Sequence, residues 1–86
     1  MENDKFTQLV LGLQSSCWMM LGKMANPMSG QMETNLNEAD HIIKTLMMLQ
    51  EKTKGNLTET EQKTLDSVIQ QLQVNYVEES KKSGGN

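Results

Sequence analysis

The 86-residue chain has no arginine, one cysteine, one histidine and one proline, and aromatic residues make up only 3% of it. Without arginine, no planar guanidinium group is present to bind a phosphate or carboxylate through two parallel hydrogen bonds. The lone cysteine, Cys17, excludes an internal disulfide framework and favours the reducing cytosol. The net charge of −3, with lysines scattered along the chain, provides no basic patch for nucleic acid or an anionic membrane. We therefore expect a cytoplasmic protein that binds neither.

An apolar run at 9–13 invites interpretation as a signal peptide. The residues before it include Glu2, Asp4 and Lys5 and are acidic overall, whereas the start of a secretory signal is basic. Polar residues at 14–16 interrupt the run far short of the ~20 residues that span a bilayer. The run is therefore expected to belong to a helix of a soluble domain.

The length allows one small domain. We predict a single domain over residues 1–78, followed by a disordered polar, glycine-rich tail over 79–86. A compact chain of this mass exposes about 5,100 Å² and has a small core. Burial of further surface between subunits would stabilise such a fold.

Three segments show the apolar spacing of a helix. We predict an all-α, three-helix domain with helices over about 4–24, 36–53 and 59–77, the second helix packing between the other two. Strand signals are weak, because no hairpin dipeptide lies between alternating runs. The predicted core-facing residues are Phe6, Leu9, Val10, Leu13, Cys17, Met20, Leu21 and Met24 in the first helix, Leu36, Ala39, Ile42, Ile43, Leu46, Met47 and Leu49 in the second, and Leu65, Val68, Ile69, Leu72 and Tyr76 in the third.

Capping residues set the predicted helix ends. Asn35 with Glu38, and Thr58 with Glu61, have the spacing of a capping box, in which each side chain bonds the other residue's backbone N–H. Gly55 is expected to end the second helix in the left-handed conformation. The first helix is followed by two end signals, Gly22 and the pair Asn26-Pro27.

The first predicted helix is apolar on more than one side. Leu11 and Trp18 lie one heptad apart outside the core stripe, with Met19 further round the helix. Isolated exposed apolar residues are normal, but this arrangement is also typical of a dimer interface or a helix-binding surface. The small residues Gly12 and Ser16 would let another helix approach closely. We predict an isologous homodimer through Leu11, Trp18 and Met19, with candidate anchors Phe6, Leu13, Trp18 and Tyr76.

The few residues suited to catalysis or metal binding are poorly placed for it. Cys17 falls in the apolar stripe, where burial raises a thiol pKa, and His41 falls on the polar side of the second helix. Glu38 and Asp40 lie about 160° apart round that helix, so one metal ion cannot bind both together with His41. We expect no catalytic, cofactor-binding or metal-binding residues and no enzymatic activity.

The segment Leu49–Thr58, LQEKTKGNLT, is the most distinctive part of the chain. Its Glu-Lys-Thr-x-Gly-Asn-Leu-Thr motif, with Phe6, Leu9-Val10, Leu36, Ala39 and the closing Tyr76-Val77-Glu78, resembles a bacterial domain-of-unknown-function family numbered eighteen forty-four. The resemblance covers roughly Phe6 to Glu78 and implies a small cytosolic helical bacterial protein without an established activity. The chain departs from the family pattern at Ile43-Lys44, where Ile-Asp is common, and at Gln73, where arginine is common. An ion pair between that acid and that arginine would be absent here.

Two functions fit these features. The first is a non-enzymatic self-associating or protein-interaction module, and the alternative is a small-ligand-binding or regulatory domain that acts through an apolar groove. The loop within Glu51–Thr58 also has two interpretations. It joins two capped helices, or it offers Lys52, Lys54 and Asn56 to an acidic ligand or partner.

Overall fold

The computed structural model of the protein describes residues 5–84. Three helices and a small antiparallel sheet make up the fold, in the order α1 (Lys5–Met20), β1 (Leu21–Ala25), β2 (Met32–Thr34), α2 (Leu36–Lys52) and α3 (Glu59–Gly84). Each helix contacts both of the others. The expectation that the second helix would separate the first from the third is therefore wrong. The sequence also predicts that the short oxygen-bearing side chain of Asn3 or Asp4 caps the start of the first helix, but both residues lie outside the described part of the chain.

The β-hairpin overturns the prediction of an all-α fold. The first helix, expected to reach residue 24, ends at Met20, and Gly22 then adopts a φ of 78°, which a right-handed helix cannot contain. Residues 21–25 extend instead and pair with β2, with Leu21 opposite Thr34 and Ala25 opposite Met32. The register is irregular between these two pairs.

The turn of the hairpin explains why no short-range signal predicted it. Residues 26–31 connect the strands, and the backbone N–H of Asn26 donates to the carbonyl of Gln31 at 2.8 Å. The Asn26 side chain accepts from the N–H of Met28 at 2.8 Å, and the N–H of Gly30 donates to the Asn26 carbonyl at 2.6 Å. Asn26 thus organises a longer turn than the two-residue turns that give hairpins their recognisable sequence.

The core lies where the three helices meet. The predicted core-facing side of α3 is confirmed, because Tyr76 is half-buried and the other four residues are buried, namely Leu65, Val68, Ile69 and Leu72. Leu9, Met24 and Met47 were expected in the core, but 49%, 43% and 43% of their surfaces are exposed. Met24 now belongs to the hairpin, and Leu9 and Met47 lie at the edges of their stripes. The buried residues are Val10, Cys17, Leu21, Ala39, Ile43, Leu46, Leu65, Val68, Ile69 and Leu72.

The third helix is longer than predicted. It was expected to end at 77, with a disordered tail over 79–86, but residues 79–84 continue α3; residues 85–86 lie outside the described part of the chain. The carboxylate of Glu79 lies 2.9 Å from Lys23 Nζ of β1 and 3.3 Å from Lys82 Nζ one turn along. Because β1 was not predicted, its lysine could not be foreseen as a partner for this part of α3.

The predicted helix caps are confirmed for α3 and partly for α2. Thr58 Oγ1 accepts from the N–H of Glu61 at 3.1 Å, and the Glu61 carboxylate accepts from the N–H of Thr58 at 2.9 Å. Asn35 Oδ1 accepts from the N–H of Glu38 at 3.1 Å. The N–H of Asn35 donates to the carbonyl of Met20 at 2.7 Å, so this bond joins the two ends of the hairpin instead of completing a capping box.

Candidate functional site

The outer face of α1 is one of two candidate interaction surfaces. Leu11 is 43% exposed, and Gly12 is exposed, with nothing within 4 Å of the position that a Cβ would occupy. Trp18 and Met19 are half-buried, and Trp18 packs against the core. Of the three predicted dimer residues, Leu11 is thus the most accessible.

The six predicted interface residues do not form one surface. Phe6 and Leu13 belong to the same side of α1 as Val10 and Cys17, and they pack against the core. Tyr76 also packs against the core, but from α3, where it lines a groove between α2 and α3. The proposed anchors therefore divide between the core side of α1, the outer face of α1 and this separate groove.

The α2–α3 groove is the second candidate surface. Its volume is about 480 Å³, and its lining combines the buried Ile43 and the half-buried Tyr76 with the more exposed Met47 and Val77. A shallower depression of about 320 Å³ adjoins it on α3, shares Gln73 and Val77 with it, and adds Val74 and Glu78.

The charges that line the α2–α3 groove cancel. Lys44 Nζ lies 3.1 Å from a carboxylate oxygen of Asp40. The uncharged Gln73 donates its side-chain amide to the sulfur of Met47 at 3.6 Å. A neutral, largely apolar lining suits an uncharged apolar partner or ligand better than an ionic one.

The importance of Met47, Val74 and Val77 for this surface was not foreseen. Met47 was assigned to the core, and the two valines lie beyond the narrow apolar face of α3, where 51% and 50% of their surfaces are exposed. One signal was present in the sequence, because residues 67–77 contain no charged side chain. Exposed helix faces ordinarily carry charged residues.

The loop between α2 and α3 is built as the capping interpretation predicts. Gly55 has a φ of 84°, and Thr53 Oγ1 donates to the carbonyl of Leu49 at 2.6 Å. Lys54 lines a polar depression together with Glu51 and Asp66. Two glutamine amides also bond Asp66, those of Gln50 at 2.7 Å and Gln62 at 3.1 Å.

Cys17 is not available as a nucleophile in this conformation. Its side chain is 0% exposed, the thiol donates to the carbonyl of Ala39 at 3.6 Å, and burial raises the pKa of the thiol to about 11. The one histidine, His41, is exposed on α2. Within residues 5–84, no group of three or more histidine, cysteine, aspartate or glutamate side chains is arranged to hold a metal ion.

Within residues 5–84, no helix combines the length and apolarity needed to cross a membrane.

The family model of the domain of unknown function DUF1844 matches residues 3–78. The chain therefore belongs to this family, in agreement with the family indicated by its sequence. Neither a curated protein nor a solved structure matches the chain.

Proposed function

We propose that this member of DUF1844 is a non-enzymatic protein-interaction module that self-associates through the outer face of α1. The observation that carries the proposal is the absence of charge along this helix. Residues 6–22 contain no charged side chain, yet Leu11 is 43% exposed. A solvent-facing helix surface is ordinarily charged, whereas the centres of protein interfaces are depleted of charge.

The chain is less compact than an average domain of its size. The chain exposes 5827 Å², roughly 700 Å² more than a compact chain of its mass. Its radius of gyration is 13.7 Å, against about 12 Å for a compact domain of this length.

The local shape of α1 also favours close helix contact. Apart from Gly12 itself, its chain neighbours and the nearby backbone of α1, no atom lies within 4 Å of the position that a Cβ on Gly12 would occupy, so a second backbone can approach there. Leu11, directly beside it, offers a large apolar side chain for burial. A two-fold axis through this face would bring the same two residues of both copies together.

Leu11→Glu tests the proposal, because it places a charge on the exposed part of the face and leaves the core side chains unchanged. Met48→Glu is the matched control, since Met48 is 44% exposed on α2. Light scattering coupled to gel filtration is expected to show a smaller assembly for Leu11→Glu and the wild-type assembly for Met48→Glu. Equal masses for wild type and Leu11→Glu, both with helical circular dichroism, would rule out the α1 interface.

The alternative function, binding of a small apolar ligand, would use the α2–α3 groove. Its volume of about 480 Å³ falls within the range of small-molecule sites. The fluorescence of anilinonaphthalene sulfonate provides a direct probe. Enhancement by the wild type that is lost in Met47→Glu, and retained in Met48→Glu, would favour this function.

A further inference from the structure

We propose that Met47 is an oxidation site, at which a hydroperoxide converts the thioether to a sulfoxide that Gln73 then holds by a hydrogen bond. The modification makes part of the α2–α3 groove polar while the fold stays intact. The inference requires neither a second copy of the chain nor a bound ligand, so it is independent of both functions considered above.

The side chain of Met47 is open to a small oxidant. It is 43% exposed, and it lines the α2–α3 groove, a space of about 480 Å³ that is far larger than a molecule of hydrogen peroxide. Met48, the next residue, has nearly the same exposure at 44% but lies outside the groove lining. The two adjacent methionines therefore differ in their surroundings and hardly at all in their accessibility.

The chemical step transfers one oxygen atom to the sulfur of Met47. A lone pair of the sulfur attacks one oxygen of hydrogen peroxide, the O–O bond breaks, and hydroxide departs. The proton of the transferred hydroxyl passes to that hydroxide, so the products are the sulfoxide and water. The sulfur loses two electrons and the peroxide gains them. The apolar thioether thereby becomes a polar side chain.

Gln73 gives Met47 a partner that suits the oxidised form better than the reduced one. The Gln73 side-chain amide, on α3, donates to the sulfur of Met47, on α2, at 3.6 Å. A thioether sulfur is a weak acceptor, whereas the oxygen of a sulfoxide carries a partial negative charge and accepts strongly. Because the amide already faces the sulfur, the added oxygen lies within reach of a donor.

The position of this bond determines what oxidation does to the molecule. A polar group on an apolar surface is unfavourable when it has no hydrogen-bond partner, but the Gln73 amide supplies one and joins α2 to α3 through it. The new oxygen enters a lining that includes the apolar Ile43 and Val77. We therefore expect oxidation to change the chemistry of the groove without unfolding the domain.

Peptide mapping after brief treatment with hydrogen peroxide tests the access of the oxidant. Cleavage by trypsin after Lys44 and Lys52 releases one peptide that contains both Met47 and Met48, so fragmentation in the mass spectrometer compares the two within one molecule. We expect the two sulfoxides to form at similar rates, because the exposures are similar. A Met47 thioether that persists after Met48 is fully oxidised would overturn the proposal.

The NMR signals of the Gln73 side-chain amide test the new hydrogen bond directly. In nitrogen-15-labelled protein these signals are identified by their loss in Gln73→Leu. Oxidation is expected to move one of the two N–H protons downfield, as a stronger hydrogen bond does. The change should disappear in peroxide-treated Met47→Leu and remain in peroxide-treated Met48→Leu, the matched control. Both substitutions nearly conserve side-chain volume.

Thermal unfolding tests whether the amide accommodates the sulfoxide. The contribution of Met47 is the loss of Tm on oxidation in the wild type minus the loss in Met47→Leu, and we expect it to be small. In the Gln73→Leu background the same difference is expected to be larger by about 4 °C, since the sulfoxide there lacks its donor. Circular dichroism verifies that each variant is helical before treatment.

Two results would contradict this role of Gln73. One is an amide signal that does not move in protein whose Met47 is shown by mass spectrometry to be oxidised. The other is an equal loss of Tm with and without the Gln73 amide, which would make Met47 an ordinary exposed methionine.

Discussion

Two helices of this protein are followed by a left-handed glycine, and the chain behaves differently after each. Gly22 follows α1 with a φ of 78°, and Gly55 follows α2 with a φ of 84°. After Gly55 the chain makes a short loop and enters α3, whereas after Gly22 it extends as β1 and pairs with β2. A glycine of this kind shows where a helix ends, but the segment that follows depends on partners elsewhere in the chain.

The surroundings of the two glycines reflect this difference. A Cβ on Gly22 would lie 2.5 Å from Oγ1 of Thr34 in the facing strand, whereas a Cβ on Gly55 would have nothing within 4 Å. The first glycine is thus required by both its backbone conformation and its neighbour, and the second by its backbone alone.

The largest expected effect comes from replacing these glycines with alanine. Both variants bear the cost of the left-handed backbone, about 1–2 kcal/mol. Gly22→Ala adds a steric overlap with Thr34 and is expected to lower the free energy of unfolding by about 3 kcal/mol in total. Gly55→Ala is expected to lower it by about 1 kcal/mol. Denaturant unfolding measures both.

A double variant sharpens the comparison. Thr34→Ala removes the Oγ1 that a new Cβ would meet, so Gly22→Ala should cost less in a Thr34→Ala background, approaching the cost of Gly55→Ala. If Gly22→Ala and Gly55→Ala lowered the free energy of unfolding equally in the wild-type background, Thr34 would not restrict the side chain at position 22.

A smaller effect is expected at the cap beyond Gly55. Thr58→Ala removes the acceptor for the N–H of Glu61, a bond of 3.1 Å, and is expected to cost about 1 kcal/mol in thermal or denaturant unfolding. Thr58→Ser keeps the acceptor and should stay close to wild type. Similar losses for both substitutions would mean that the start of α3 does not depend on this hydroxyl.

The smallest effect is expected where the hairpin contacts the end of α3. Hydrogen bonds from Lys23 and Lys82 hold the pKa of Glu79 below its ordinary value of 4.5. A carboxyl with a lowered pKa stabilises the fold fully above that ordinary value, and the stabilisation is lost as the pH falls through the lower, folded-state pKa.

Glu79→Gln is therefore expected to be slightly less stable than the wild type near neutral pH. The two stability curves should converge in acid, because protonation removes the same charge from the wild type. The effect should be modest, since ion pairs near the surface contribute little. Parallel curves across the whole pH range would show that these contacts do not depend on the charge of Glu79.

These comparisons also show which parts of the fold the sequence can predict. The buried side of α3 follows from helical spacing, and the start of α3 follows from Thr58 and Glu61, because both signals act within one or two turns. The strand β1 depends on pairing with residues 32–34, and the sequence between them carries no short-turn signal. The final turns of α3 were missed for a related reason, since their contact with Lys23 requires the hairpin.

The candidate surfaces follow the same rule. The outer face of α1 could be predicted from Leu11 and its neighbours, because it belongs to a single helix. The α2–α3 groove requires Met47 and Val77 from two helices to lie side by side. Helical spacing within one segment does not establish that arrangement, although the uncharged stretch at 67–77 was visible in the sequence.

The bond from the N–H of Asn35 to the carbonyl of Met20, 2.7 Å long, has a practical consequence. The bond brings the two ends of residues 21–34 together. The end of α1 and the start of α2 therefore stay close to each other even if the loop between β1 and β2 is lengthened. Met28, 93% exposed in that connection, is therefore a suitable position for a fluorophore, an affinity tag or an inserted peptide. A label there would report on assembly while leaving both candidate interfaces untouched.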